Sequence, residues 1–208
     1  MYKEYWKDKW NNVIGYRSNQ FAKKAYELIC PTIKEKQLIR LLDLGCGDGR
    51  DSLYFAKKGF DVTSVDFSES GINKLNQIIN SKKIINIKLS IKDIKEIDFQ
   101  ENLFDVIYAH LSLHYFDDEI TLQIFNRLYY CLKPNGMIFV KCKSIEDPLF
   151  GKGKKLGENM YLEGHLRHFF DKEFMKMNLN KFKIIKIKKS SSKYHHCKSN
   201  FIEAIAIK

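Results

Sequence analysis

The stretch LLDLGCGDGRDS occupies residues 41–52. An apolar run ends in an acid, Asp43, and glycines follow at 45, 47 and 49. An apolar run of this length reads as a buried strand, and "RDSLYFAKKG" behind it as a helix closed at Gly59. Glycines at alternate positions between them let the backbone turn tightly and approach a neighbour closely. The spacing therefore predicts a strand, a ligand-facing turn and a helix. The ligand must tolerate a carboxylate at the strand end.

The same alternation continues outward. Strands are expected at 39–44, 61–66, 84–91, 104–110 and 137–144, with helices over "SESGINKLNQIIN", starting from Ser68, and over 118–132, ended by the turn "KPNG". Strands alternating with helices imply right-handed βαβ units, hence an α/β fold with a parallel sheet covered on both faces. The tail differs. Residues 182–189 and 200–208 read as an antiparallel hairpin joined by "SSSKYHHCKS". Between strand five and a helix from Asp171 lies a glycine-bearing connection, 145–170, expected to be a mobile lid over the carboxyl edge of the sheet. Residues 1–35 are expected to form a helical cap, so that the chain is one domain, 1–208.

Parallel sheets bind ligands at the carboxyl ends of their strands, which is where the glycine turn falls. A nicotinamide dinucleotide expects G-x-G-x-x-G with its pyrophosphate on the helix N-terminus. Here the spacing is G-x-G-x-G, with Asp43 before it and Asp48 inside it. Carboxylates repel a pyrophosphate but suit S-adenosylmethionine, which carries an ammonium and a sulfonium and no phosphate. Gly47 and Gly49 would leave room for its methionine and ribose. Asp66, closing the second strand, would accept from the ribose hydroxyls. Asp93 would meet the adenine amino group, with Ile94 against the ring.

These segments, "LLDLGCGDGR", "VTSVDFS", "IKDI", "FDVIYAHLSLHYF" and "LKPNGMIFVKC", resemble the class I S-adenosylmethionine-dependent methyltransferases over residues 39–144. "GCGDGRDSLYFAKKGFDV" and "GHLRHFF" are similar to the small-molecule enzymes of the tellurite-resistance type. The resemblance implies a Rossmann-like seven-stranded sheet in the order 3-2-1-4-5-7-6, its last strand antiparallel. It also implies cofactor contacts from Asp43, Gly45, Cys46, Gly47, Gly49, Arg50, Asp66, Phe67, Asp93, Ile94 and His110. Tyr16, in the aromatic "YWKDKWNNVIGYRSN", is a further expected contact, since aromatic faces attract a sulfonium.

The methyl group is expected near the end of strand four. Methylases of base amino groups carry an Asn- or Asp-Pro-Pro-aromatic motif there, whereas this chain has Ala109, His110, Leu111 and Ser112. That departure points to a small-molecule acceptor. His110, His114, His165 and Arg167 are the catalytic candidates. His165 would be a base near neutral pH and Arg167 would orient an acid. His110 and His114 at i, i+4 lack a convincing third ligand, so no metal is expected. Alternative readings are an RNA or protein methyltransferase, or a binding protein without catalysis.

Composition is consistent with this. The formal charge is +11, but residues 1–150 hold 22 basic and 20 acidic side chains while 151–208 hold 14 and 5. Lys outnumbers Arg 31 to 5, which fits a solvated surface better than a dedicated phosphate reader, so nucleic acid is not the expected partner. Five cysteines form no CxxC pair, arguing against a disulfide framework. No apolar run approaches the ~20 residues of a membrane span, and the N-terminus lacks a secretory apolar region. A cytoplasmic monomer or homodimer is expected.

Overall fold

The computed structural model describes residue 6 and residues 18–31, 38–194 and 197–208. Helix α1 (Gln20–Ile29) comes first, and the Asn19 side chain caps it by accepting from the Ala22 N–H at 2.9 Å. Then follow β1 (Arg40–Leu44), α2 (Arg50–Lys57), β2 (Asp61–Asp66), α3 (Glu69–Lys82), β3 (Ile87–Ile91), β4 (Phe104–His110), α4 (Asp118–Cys131) and β5 (Leu132–Lys143). The remainder is β6 (Lys154–Lys155), β7 (Met160–Glu163), β8 (His165–His168), α5 (Lys172–Asn178), β9 (Lys183–Tyr194) and β10 (Cys197–Ile207).

Seven strands form one sheet in the order β3-β2-β1-β4-β5-β10-β9. The first five are parallel and β10 runs antiparallel to both its neighbours. Counted by strand, this is 3-2-1-4-5-7-6. The chain thus has the Rossmann-like class I fold, and all five parallel strands bring their carboxyl ends to one edge. One face of the sheet is covered by α1, α2 and α3 around Phe21, Phe55, Leu75 and Tyr108, the other by α4 and α5 around Phe125, Leu128, Phe170 and Met175. The inner strands are apolar on both faces because both are buried.

Four local expectations change. The third strand begins at Ile87 rather than 84: Lys83 ends α3 in a left-handed conformation (φ 52) and Ile84 N–H returns to Ile79 O, so these residues close the helix instead of extending. Ser68 precedes α3 but makes no side-chain cap; its own N–H donates to Asp66. The turn "KPNG" does not separate α4 from the fifth strand, because β5 begins at Leu132 and the turn bulges within it, opposite a register shift between Phe104 and Val106. The hairpin is longer than expected. Its ladder continues through Ser190–Lys193 and Lys198–Asn200, polar residues that extend the pairing at the edge of the sheet.

The 145–170 connection is also more regular than its glycines suggested. It holds an antiparallel sheet, β6-β7-β8, and β8 returns to the main body through His168 N–H to His114 O and Phe170 N–H to Lys143 O. Of the expected 1–35 cap, α1 and Trp6 are described. No helix among the described residues is long and apolar enough to cross a membrane.

Candidate cofactor and acceptor site

A cavity of about 400 Å³ opens at the carboxyl edge of the sheet. Its first half is built by the glycine turn. Gly45, Gly47 and Gly49 all lie in the left-handed region (φ 76, 58 and 78), which side-chain-bearing residues enter at a cost. Gly45 walls the cavity, and a Cβ there would stand 2.3 Å from Ser112 Cβ. Gly49 faces inward instead, where a Cβ would meet the Leu75 methyls at 2.4 Å. Gly47 gives its N–H to Asp66 at 2.9 Å. Neither Gly47 nor Gly49 lines the cavity. At Gly49 a side chain would be stopped by Leu75 of α3, and Gly47 folds the turn onto Asp66; the cofactor contacts expected of both glycines stay proposals.

Acids crowd this half. Asp43, Asp51, Asp66 and Asp93 all line it. Asp43 accepts from Ser52 Oγ at 2.5 Å, and Ser52 in turn from Ser64 at 2.8 Å. Burial, with Asp51 and Asp66 nearby, pushes its carboxyl up to about 8. Burial likewise raises Asp51 to about 6, against the opposing hydrogen bonds from Asn19 and Tyr108. Asp66 is raised by burial although Ser68 and Gly47 donate to it. Asp93 caps the short 3₁₀ turn Ile94–Glu96 by accepting from Lys95 N–H at 3.2 Å. Arg50 pairs with Asp48 at 3.2 Å, and Cys46, Phe67 and Ile94 complete the wall.

The second half lies past the end of β4. Leu111 carries a left-handed φ of 58 there, a strained conformation for a branched side chain, and its N–H donates to Lys141 O. This turn presents His110 and buried His114 to the cavity. Burial, then Lys141 and Arg50, depress His110 to about 3. Burial and Lys143 depress His114 well below its ordinary value, so both imidazoles are neutral. Nδ1 of His114 has no hydrogen-bond partner among the described residues.

The other two catalytic candidates do not line the cavity, but both stand near enough to His114 to lower its basicity. Buried His165 packs beside Tyr115 and Trp6, ring centroids 5.5 and 5.9 Å away, behind the cavity wall. Arg167 is tied to Glu163 at 3.2 Å and does not reach the wall. Tyr16 and the pair His195 and His196 lie outside the described residues.

The structure adds groups that sequence reasoning missed. Asp51 accepts from Asn19 N–H at 3.1 Å and Tyr108 OH at 3.1 Å, and also from the Asn19 amide, pinning the start of α1 over the cavity. Lys141, Lys143 and Phe201 line the far wall. The alternation of Lys with apolar residues in "FVKCK" was the available signal, since a buried strand carries charge only with a reason.

Fold and turn together resemble those of class I S-adenosylmethionine-dependent methyltransferases, TehB among them. Residues 41–136 match the Methyltransf_25 family, a methyltransferase domain. A Haemophilus influenzae protein named "Probable S-adenosyl-L-methionine-dependent methyltransferase TehB" is 40% identical over 80 residues, 38% of this chain and 27% of that protein. The match therefore spans well under two thirds of that relative. The structure of TehB from the same species superposes with a TM-score of 0.72 at 22% identity, over 99% of this chain and 66% of the other. A Burkholderia thailandensis 1,6-didemethyltoxoflavin-N1-methyltransferase, solved with 1,6-didemethyltoxoflavin and S-adenosylhomocysteine, gives 0.74 at 17% identity, over 99% and 83%.

Proposed function

We propose that the protein transfers a methyl group from S-adenosylmethionine to a small-molecule acceptor. The observation that carries this is the cavity's acidic half, set on a left-handed glycine turn at the sheet's carboxyl edge. Its chemistry fits this cofactor. Asp43 is held near neutral ionisation by burial, and a cationic ammonium is the partner that would relieve it. Asp66, fixed by two backbone N–H groups, keeps lone pairs for ribose hydroxyls. Asp93 and Ile94 would receive the adenine, with Gly45, Cys46, Arg50, Phe67 and His110 as further contacts; Tyr16 stays a proposed contact outside the described residues.

When bound, the cofactor supplies a methyl group on a cationic sulfur. The residues of this chain position the reactants, and alignment of this kind can supply ~7–11 kcal/mol of a displacement barrier. His110 and His114, neutral and at the cavity wall, are the groups placed to take a proton from an acceptor. His165 supports Tyr115 from behind. The segment 145–170 is read as a lid whose strand β8 abuts the acceptor half, within one domain covering 1–208. A cytoplasmic setting, as a monomer or homodimer, accompanies this reading.

The test is a transfer assay with methyl-labelled cofactor against thiols, small amines, hydroxy acids, total tRNA and cell extract. Label in a small-molecule product supports the proposal. Label only in RNA or protein overturns the acceptor class.

A further inference from the structure

The cavity is electrically two-ended. At one end stand the four acids. At the other, Lys141 and Lys143 sit two apart on β5, hence on one face of the strand, and both are buried. Across the ladder Lys141 faces Glu203 and Lys143 faces Phe201, and Glu203 in turn faces Lys188 of β9. Two ion pairs follow this register, Lys141–Glu203 at 3.1 Å and Lys188–Glu203 at 3.1 Å, and a local one joins Lys143 to Asp147 at 2.7 Å. Three ammonium groups thus meet two carboxylates, and Lys193 adds a further charge at the rim. After burial, Lys141 lowers His110 and Lys143 lowers His114, while on Lys141 itself the attraction of Glu203 outranks the repulsion from Lys24 and Lys188.

Buried lysines are expensive, and well-packed apolar residues would serve a purely structural wall better. These two also keep capacity. Among the described residues, Lys141 has one oxygen partner for three N–H donors, and Lys143 has two, Asp147 and Ser199 at 3.0 Å. Phe201 lies under both, 4.4 and 5.3 Å from their nitrogens. With Phe21, Tyr115 and Trp6 it gives this half aromatic walls.

We propose, on the reading that the acidic half holds S-adenosylmethionine, that the methyl acceptor is a small organic anion. Its carboxylate or phosphate seats against Lys141 and Lys143, and its body lies between Phe201, Phe21 and Tyr115. The anionic group is the handle rather than the atom methylated, because ammonium groups that stabilise its charge make its oxygens poorer nucleophiles. The reacting atom lies toward His110 and His114. There the acceptor atom gives a lone pair to the methyl carbon, the carbon–sulfur pair returns to sulfur, and the proton on that atom passes to an imidazole and on to water.

Two probes of matched shape test this: 4-hydroxybenzoate, and 4-hydroxybenzamide, which lacks the charge. The full chain is first titrated with S-adenosylhomocysteine. Failure to bind it defeats the underlying reading, separately from the acceptor class. With that ligand saturating, calorimetry should show the acid binding at least about tenfold tighter than the amide, the lower end for a hydrogen bond to a charged group. Lys143→Met should erase the preference while S-adenosylhomocysteine affinity stays within about twofold, and Lys143→Arg should restore most of it. Equal binding of acid and amide, or a preference that survives in Lys143→Met, overturns the proposal. Inorganic phosphate binding as tightly as 4-hydroxybenzoate overturns the organic body. If Lys143→Met does not fold, Lys141→Met is read the same way.

Discussion

Asp43→Asn should strengthen the fold and weaken the cofactor site, and the two effects should both depend on pH. Asp43 is buried and its carboxyl is pushed from 3.8 up to about 8. A raised acid binds its proton in the folded chain where the unfolded chain has lost it. Stability is therefore complete below about pH 4 and falls as pH rises toward 8. At about 1.36 kcal/mol per unit, the ceiling on that loss is about 6 kcal/mol. Asparagine imitates the protonated acid, so the variant should match the parent below about pH 4 and exceed it by a margin that grows up to pH 8.5. A third of the ceiling, about 2 kcal/mol, raises the melting midpoint by about 4–8 °C in a domain of this size. Binding runs the other way. Losing a hydrogen bond to a charged group should weaken S-adenosylhomocysteine by about 1.5–3 kcal/mol at pH 8.5, and by less at pH 6 where Asp43 is protonated in both states. Calorimetry at pH 7 in buffers of different ionisation enthalpy should show the parent releasing a proton on binding and the variant not. A variant less stable than the parent at pH 8.5, with unchanged proton release, refutes the reasoning.

Other perturbations probe other parts of the structure. Gly49→Ala places a side chain at φ 78 and a Cβ 2.4 Å from Leu75, so left-handed strain of about 1–2 kcal/mol and overpacking of about 1–3 kcal/mol should appear in urea unfolding. Combining it with Leu75→Ala should recover the overpacking part alone. Glu203, which Ser190, Lys141 and Lys188 hold down to about 2 against its burial, should be costly to remove. Glu203→Ala leaves Lys141 buried and unpaired and should lose about 3–5 kcal/mol, whereas Lys141→Met with Glu203→Leu should fall near the parent in thermal melts. Trypsin should cut at exposed Lys152–Lys155 more slowly once S-adenosylhomocysteine and acceptor are bound; equal cleavage in both states removes the lid from the account.

The parallel sheet was legible because its strands are short, apolar and separated by helices with cap and stop signals, all of them local. The cofactor half of the site shared that advantage, since Asp43, Cys46 and Arg50 lie within eight residues of one another. Sequence shows that a glycine permits close approach but not to what; within the chain the neighbours of Gly47 and Gly49 are Asp66 and Leu75. The basic wall stayed hidden for a different reason. Lys141 and Lys143 meet Glu203 and Phe201 only through the register of an antiparallel strand some sixty residues on, and register is set by pairing rather than by either segment alone. The glycines before His165 and Arg167 do not show where β7 and β8 hold these residues, which is against Tyr115 and beside Glu163.

The central claim is that the acidic cavity holds S-adenosylmethionine. Calorimetric titration with S-adenosylhomocysteine and, separately, with NAD tests it most directly. S-adenosylhomocysteine should bind at one site, Asp66→Ala should weaken it by about 1.5–3 kcal/mol, and NAD should give no heat. Binding of NAD with no response to S-adenosylhomocysteine would contradict it.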